Sequence, residues 1–167
     1  AGLHVARAVL AMKKREEIGD LKPNDKAMLK DKVKYLAVCY SLGSLSGSSY
    51  SISNLENINK RITEAIDAGE LEEINKKIYD RSDEKINGLY DWGKDVSLKH
   101  FGEIYKKLGT KFDFNFFERE TGDFGKKAVE QNIENGIFEK SDGAIIFKGE
   151  KYGLHTRVFI NSKGLPT

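Results

Sequence analysis

Ile104-Tyr105-Lys106-Lys107-Leu108-Gly109-Thr110-Lys111-Phe112-Asp113-Phe114-Asn115-Phe116-Phe117-Glu118 is the stretch at which the chain changes character. Up to Leu108 the apolar residues recur at three- and four-residue steps, the period of an amphipathic helix. Gly109 then offers the residue that most readily adopts a helix-ending left-handed conformation. From Lys111 onward aromatic and polar residues alternate before the pair Phe116-Phe117, which predicts a strand or an extended approach to one. The change divides the chain into residues 1–109, mostly helical, and residues 110–167, an α+β part with short strands. The fold class expected is a helix-rich α/β.

Working back from the boundary, Ser82 is expected to cap a long helix opened by Glu84-Lys85, with Ile86, Leu89, Tyr90, Val96, Phe101, Ile104, Tyr105 and Leu108 at mainly helical spacing. Trp92 and aromatics on two sides predict that this helix lies inside the assembly. A short amphipathic helix over Glu70–Tyr79 turns Leu71, Ile74 and Ile78 to one face. Before it, Ser53 and Glu56 form a capping-box pattern ahead of Ile58, Ile62 and Ile66, and Asp67-Ala68-Gly69 closes that helix. Ser41 to Ser49 is rich in Gly and Ser and predicts a mobile loop. A phosphate-cradling loop is disfavoured there, because no strand precedes the glycines and no Lys-Ser/Thr pair follows them. Pro23-Asn24-Asp25 is expected to cap a helix carrying Ala27, Leu29, Val33, Leu36 and Tyr40. The first helix carries Leu3, Ala6, Val9, Leu10 and Met12, gathers Lys13, Lys14 and Arg15 where cations suit its dipole, and ends at Ile18-Gly19-Asp20.

Beyond the boundary, Thr121-Gly122-Asp123 is expected to start a helix with Phe124, Ala128, Val129 and Ile133, stopping at Asn135-Gly136. Three strands are expected at Ile137–Glu139, Ala144–Phe147 and Thr156–Ile160, separated by turns at Ser141-Asp142-Gly143 and Lys148-Gly149-Glu150.

Bulk properties narrow the class. The 167 residues suffice for one ordinary domain. Hydrophobic residues make up 39% and charged residues 32%, a polar chain that still holds core-forming material. No long apolar run and no secretory leader pattern is present, so a membrane role is not expected. Lys and Arg number 28 against 26 Asp and Glu, a net charge of +2, too balanced to mark a nucleic-acid binder by bulk electrostatics. Cys39 is the single cysteine, so there is no internal disulfide and the cytoplasm is the expected compartment. Starting at Ala1 and stopping at Gly164-Leu165-Pro166-Thr167, the chain is expected to be a piece of a longer protein.

The chemistry the residues carry is sparse. His4, His100 and His155 lie far apart without ligand spacing around any two, so no metal site is expected. His100 and His155 are expected to be packed or surface imidazoles. His4, in a Gly-x-His opening ahead of a helix, lies where exposed N–H groups favour anions, and is the one candidate substrate-binding residue. Glu118-Arg119-Glu120 and Asp142 define no acid/base pair, and Cys39 after Leu36-Ala37-Val38 is expected to be a buried small hydrophobe. Tyr105-Lys106-Lys107 and the run from Lys148 to Tyr152 place cations beside aromatics, a pattern shared by RNA contacts and by solvated lysines next to a half-buried tyrosine.

Three ordered stretches resemble the arginyl-tRNA synthetases, a family of class I aminoacyl-tRNA synthetases. Gly2-Leu3-His4-Val5-Ala6-Arg7-Ala8 is similar to the family's Gly-Leu-His-Val-Ala-Lys-Ala string. Ile104 to Gly109 with Phe112-Asp113 and Phe117-Glu118 is similar to its Tyr-x-x-Leu, Phe-Asp and Glu-Ser landmarks. Asp142-Gly143-Ala144-Ile145, Val158 and Ser162 to Thr167 are similar to its Gly-Ala strand and Gly-x-Pro-Thr-Tyr entry. Arg119 stands where the family usually has Ser, and Ser41 to Ser49 is unlike a compact helix junction.

The resemblance implies an internal fragment of a Rossmann-like nucleotide-binding catalytic domain. Residues 1–109 would belong to that domain and its helical insertion, and residues 110–167 would lead back to the catalytic core. It implies an arginine–tRNA ligase in the intact chain, with ATP and Mg2+, arginine and tRNA(Arg) as partners, no membrane, and a monomeric state. The ATP signature His-Ile-Gly-His is then expected upstream of Ala1 and the arginine-holding Tyr and Asp after Thr167. The fragment alone is expected to be inactive, with no cofactor bound. The alternative is a self-contained helical and β interaction or RNA-binding module with a closed sheet. A fragment is instead expected to leave unpaired edges at Ile145 and Val158 and exposed apolar faces on the first and long helices.

Overall fold

The computed structural model describes residues 2–44 and 56–167, apart from the side chains of Glu118 and Arg119. The chain forms two compact units, Ala1–Phe112 and Asp113–Thr167.

The first unit is built of α1 (Leu3–Glu16), α2 (Leu29–Ser44), α3 (Glu56–Asp67), α4 (Glu70–Asp80) and α5 (Glu84–Leu108). α1 is the hub and packs against all four others. Ala6, Ala8, Val9, Leu10, Ala11 and Met12 are all buried, a run that leaves its middle turns no solvent face, as a helix apolar all round requires. Around it close Tyr35, Cys39 and Leu42 of α2, Ile58, Ile62 and Ala65 of α3, Leu71, Ile74 and Ile78 of α4, and Ile86 and Leu89 of α5. In α3 and α4 the buried residues recur at three- and four-residue steps, so each contributes one stripe and keeps its charges outside.

Several expectations are corrected. The inner helix is α1, not α5, whose buried residues end at Val96. Beyond that point Leu98, Phe101 and Leu108 are exposed. The cap of α5 is Asp83 rather than Ser82: the Asp83 carboxylate accepts from the Ile86 N–H at 3.0 Å. Gly109 ends α5 with φ at 67° as expected. α2 begins at Leu29, after Ala27, because the Asn24 side chain folds back to accept from the Lys26 N–H and makes a turn of the preceding residues. The capping pattern at Ser53 lies outside the described residues.

The reading of Ser41 to Ser49 as a loop fails for its first four residues, which complete α2, with Leu42 and Gly43 buried. Gly43 is a point of close approach between α1 and α2. A Cβ there would stand 2.6 Å from the Arg7 carbonyl oxygen, and the Arg7 guanidinium donates to the Gly43 carbonyl at 3.0 Å. This glycine serves packing between helices rather than chain mobility.

The second unit holds α6 (Glu118–Gln131), β1 (Glu139–Ser141), β2 (Ala144–Phe147), a 3-10 turn (Glu150–Tyr152) and β3 (Arg157–Ile160). The strands form an antiparallel sheet in the order β1-β2-β3. Asp142 and Gly143, with φ of 47° and 78°, make the tight β1–β2 turn, the geometry for which an Asp-Gly pair is favoured. β2 is therefore the central strand, and Ile145 is paired on both sides, with Lys140 and Ile160, instead of forming an edge. Val158 lies on the outer strand and is 45% exposed, but its carbonyl accepts from the Thr167 hydroxyl at 2.8 Å and Ile160 pairs with Pro166, so this edge is not left unpaired either. β1 starts two residues later than expected, since Ile137 and Phe138 are still closing the turn after α6.

Lys111–Glu118 forms no strand. Its alternation is met by side-chain contacts: Phe112 lies edge-on to Tyr105, with centroids 4.8 Å apart, and Phe114 stacks on Phe116. α6 begins at Glu118, before the expected Thr121, because the N–H groups of Glu120 and Thr121 already donate to the Phe117 carbonyl. Its Gly122 faces Pro166, and Lys126 donates to the Gly164 carbonyl, which ties the last residues to this helix.

Two alanine substitutions test the close approach of α1 and α2. Gly102 in α5 has open space at its Cβ position, so Gly102→Ala is expected to stabilise by up to about 1 kcal/mol from helix propensity alone. Gly43→Ala carries the same gain but forces apart two helix backbones, and is expected to destabilise by about 1–3 kcal/mol. Urea titration of both variants distinguishes them, and equal midpoint shifts would remove the packing role of Gly43.

Candidate functional site

His4 occupies the first turn of α1 and is exposed, together with Leu3 and Val5. The turn opens on Gly2, in extended backbone at φ −68° and ψ 160°, with no side chain capping the helix and no acidic residue in the first turn. The leading N–H groups of a helix have no carbonyl partners of their own, so this end offers hydrogen-bond donors and the positive end of the helix dipole beside an imidazole. That arrangement can receive an anion or a hydroxyl. Neither of the other histidines lies on this turn: His100 is half-buried in α5, and His155 is exposed between the 3-10 turn and β3.

The opposite end of α1 is electrostatically dense. Arg15 is buried, its guanidinium donating to Asp20 Oδ2 at 2.7 Å, to the Tyr35 carbonyl at 3.4 Å and to Cys39 Sγ at 3.3 Å. The same group lies 4.0 Å above the Tyr35 ring, which stands perpendicular to Trp92 with centroids 5.9 Å apart. Burial works against the Arg15 charge, but the hydrogen bonds to Asp20 and Cys39 outweigh it and its pKa stands above the ordinary value. Burial pushes the Cys39 thiol up while Arg15 pulls it back, and burial likewise raises the Tyr35 phenol. A thiol held in this way is protonated and enclosed, so Cys39 is the buried hydrophobe expected, with a cation as an unexpected neighbour.

Next to this network, Lys13, Lys14, Lys77 and Lys85 line a cleft of about 260 Å³ with Glu70, Glu73 and Asp83. Its charges are mutually engaged. Lys13 and Lys14 both bind the Glu70 carboxylate, Lys14 at 2.8 Å, and Lys77 reaches Glu73 at 2.8 Å and Asp83 at 3.3 Å. Burial alone would raise the Glu70 pKa, but the two lysines hold it below the ordinary range. The cleft is an ion-pair network joining α1, α4 and the start of α5, and no acid/base pair is poised in it. Among the described residues, no three His, Cys, Asp or Glu side chains gather into a set fit for a metal ion. None of the described helices is long and apolar enough to cross a membrane.

The two segments that mix cations and aromatics differ. Tyr105 is half-buried between Phe101 and Phe112, with Lys106 and Lys107 pointing to solvent. In the second unit Tyr152 is 71% exposed and stacks on Phe147, the rings 11° from parallel and 5.8 Å apart. Sequence reasoning singled out Lys148 to Tyr152 but missed Phe147 and the ring contacts it organises. The signal present was Gly149 and Gly153 bracketing the turn that brings Tyr152 back over the strand.

No protein-family model matches the chain. Over 86 residues it is 34% identical to an arginine–tRNA ligase of Streptococcus mutans, an overlap of 51% of this chain and 15% of that protein. Over 98 residues it is 32% identical to an arginine–tRNA ligase of Halothermothrix orenii, covering 57% and 17% of the two chains. Over 104 residues it is 28% identical to that of Levilactobacillus brevis, covering 60% and 18%. The chain thus spans less than a fifth of the length of these relatives. The matches bear out the resemblance to arginyl-tRNA synthetases that the sequence landmarks carry.

The lysine clamp on Glu70 has a defined pH signature. A carboxylate whose folded pKa is depressed adds stability above its unfolded pKa and loses it as the pH falls through the folded value. Wild type is therefore expected to exceed Glu70→Gln in stability at neutral pH by up to about 1 kcal/mol. The gap should close below the ordinary carboxylate range of about 4. Urea titrations at neutral and acidic pH measure it, and a gap independent of pH would show that the pairing contributes nothing.

Proposed function

We propose, from the similarity of this chain to arginine–tRNA ligases, that it works as part of the catalytic domain of such an enzyme. The reaction is the condensation of arginine with ATP to an adenylate, followed by transfer of the arginyl group to the terminal ribose of tRNA(Arg). The observation that carries the reading is the 28–34% identity over 51–60% of the chain. In this reading both units belong to a class I, Rossmann-like nucleotide-binding domain interrupted by a helical insertion, in a monomeric cytoplasmic enzyme.

The described residues do not themselves fit a triphosphate and its magnesium. A phosphate cradle needs successive free N–H groups with a cation aimed at the same point. Here Lys13, Lys14 and Lys77 of the cleft between α1 and α4 are already committed to Glu70, Glu73 and Asp83, and Lys85 approaches Glu16. No step of the adenylation chemistry is therefore assigned to the side chains of that cleft. What the chain supplies is scaffold: a helical core organised around α1, with the open first turn of α1 at its edge. His4 is the residue we place near substrate, giving one hydrogen bond to a phosphate or ribose oxygen.

Three measurements follow. The 167-residue chain alone is expected to show no arginine-dependent ATP–pyrophosphate exchange above a no-protein control, since the groups that bind triphosphate and guanidinium are assigned to other segments. Exchange above the control would overturn that assignment. A chimaera carrying this chain in place of the matching segment of the Streptococcus mutans ligase is expected to charge tRNA(Arg), and a chimaera that melts cooperatively but does not charge would sink the family function. In the active chimaera, His4→Ala is expected to slow adenylation roughly 2- to 12-fold, the worth of one neutral hydrogen bond of about 0.5–1.5 kcal/mol. Because His4 is exposed, the melting temperature should not move; unchanged adenylation would leave His4 as a surface residue.

A further inference from the structure

We infer that the ring surface around Tyr152 in the second unit binds unpaired nucleotides of RNA, stacking a base on the outer face of Tyr152 and holding the backbone phosphates with Arg157 and Lys140. The inference draws on the ligase reading for one thing, that an RNA is the partner at hand. Everything else comes from the site.

Four rings form a continuous chain. Phe159 meets Phe138 at 5.0 Å between centroids, Phe138 meets Phe147 at 6.3 Å, and Phe147 stacks on Tyr152 at 5.8 Å. The stack ends in Tyr152, 71% exposed, and the chain's other end, Phe159, is 40% exposed. A base laid on Tyr152 would extend a near-parallel stack that already exists, and every base has the flat face this needs.

The turn that carries Tyr152 is rigidly built. The N–H groups of Tyr152 and Leu154 both donate to the Gly149 carbonyl, at 2.8 and 3.0 Å, and Gly153 donates to Glu150. The Thr156 hydroxyl donates to the Glu150 carboxylate at 2.6 Å. Gly149 sits so close to the following chain that a Cβ would stand 2.6 Å from the His155 carbonyl oxygen. An exposed ring fixed this firmly gives up little freedom on binding.

Charge selects the occupant. Directly opposed residues of an antiparallel pair share a face. Lys140 opposes Ile145 and Arg157 opposes Phe147, so Lys140, Arg157 and Phe147 lie on one face, and both of these cations are exposed. The acidic strand residue Glu139 falls on the other face, where Lys148 holds it at 2.6 Å. Exposed rings flanked by cations fit a polyanion with flat bases better than a protein partner, whose interface cores are depleted in lysine.

The test is fluorescence anisotropy of a short labelled oligoadenylate titrated with the full chain, beside an RNA duplex of equal length. The single strand is expected to bind, more weakly as salt rises, and the duplex to bind less well. Tyr152→Ala should weaken binding at least about fivefold while Tyr152→Phe retains it. Arg157→Gln should weaken it and lower the salt slope by about one. Circular dichroism melts confirm that these exposed positions leave the fold intact. No binding, equal binding of the duplex, or full binding by Tyr152→Ala each overturns the surface. A chimaera that charges tRNA while this chain ignores oligoadenylate overturns the surface and leaves the ligase reading standing; binding by the chain with a folded, inactive chimaera does the reverse.

Discussion

Because α1 is enclosed by four helices, the charge at Arg15 has to be satisfied inside the bundle, and the way it is satisfied fixes how the chain turns after the first helix. A guanidinium has five donors in a rigid plane. Here that plane reaches Asp20 in the connecting turn and the Tyr35 carbonyl and Cys39 sulfur on α2, with its face on the Tyr35 ring. One side chain thereby sets the direction in which α2 returns along α1. The Arg15 carbonyl completes the turn by accepting from the Ile18 and Asp20 N–H groups. Removing the guanidinium would leave a hole beside Tyr35 as well as unpaired acceptors, so packing and hydrogen bonding fail together there.

The neighbouring cations extend the same logic outward. Lys13 and Lys14 leave the last turn of α1 to meet Glu70 at the first turn of α4. Glu70 thus answers two demands, the lysine charges and the positive end of its own helix. Arg61 of α3 reaches Glu17, and Lys22 and Lys85 approach Glu16. Individually such partly exposed pairs contribute little. Together they select among the ways four amphipathic helices could rotate around a featureless apolar rod, which hydrophobic burial alone does not decide.

This explains what was legible in the sequence. Periodicity exposed the helices, and Gly109, Asp142 and Gly143 announced their turns, because those signals are local. The inner position of α1 was also there, in the unbroken run Ala8 to Met12, but the aromatic content of α5 drew attention instead. Aromatics mark contact without saying with what: Phe101 meets Tyr105 on its own helix and stays exposed, as does Leu108. The role of Gly43 could not be read, since a glycine in a Ser-rich stretch looks like a loop until the Arg7 backbone is beside it. The Arg15 network was hidden for the same reason: its members at 15, 20, 35 and 39 are joined only by the way two helices return on each other. Of the candidate site, His4 was visible through its position at a helix start, whereas the Phe147–Tyr152 stack needed the register of the sheet.

The two units reach order by different means, and the difference bears on function. The first buries apolar stripes around α1 and pairs the charges at the C-terminal end of that helix with those of its neighbours. Among its described residues the second has only Val129, Ile146 and Ile160 as buried hydrophobic residues. Its shape is held instead by tight turns, at Asp142-Gly143 and from Gly149 to Thr156, and by ring contacts that stay open to water. Small units of this kind cannot hide their aromatic residues, so the rings that order the sheet are also the surface it presents. Whatever binds there meets a platform already fixed by backbone hydrogen bonds, and its ordering costs fall on the ligand rather than on this protein.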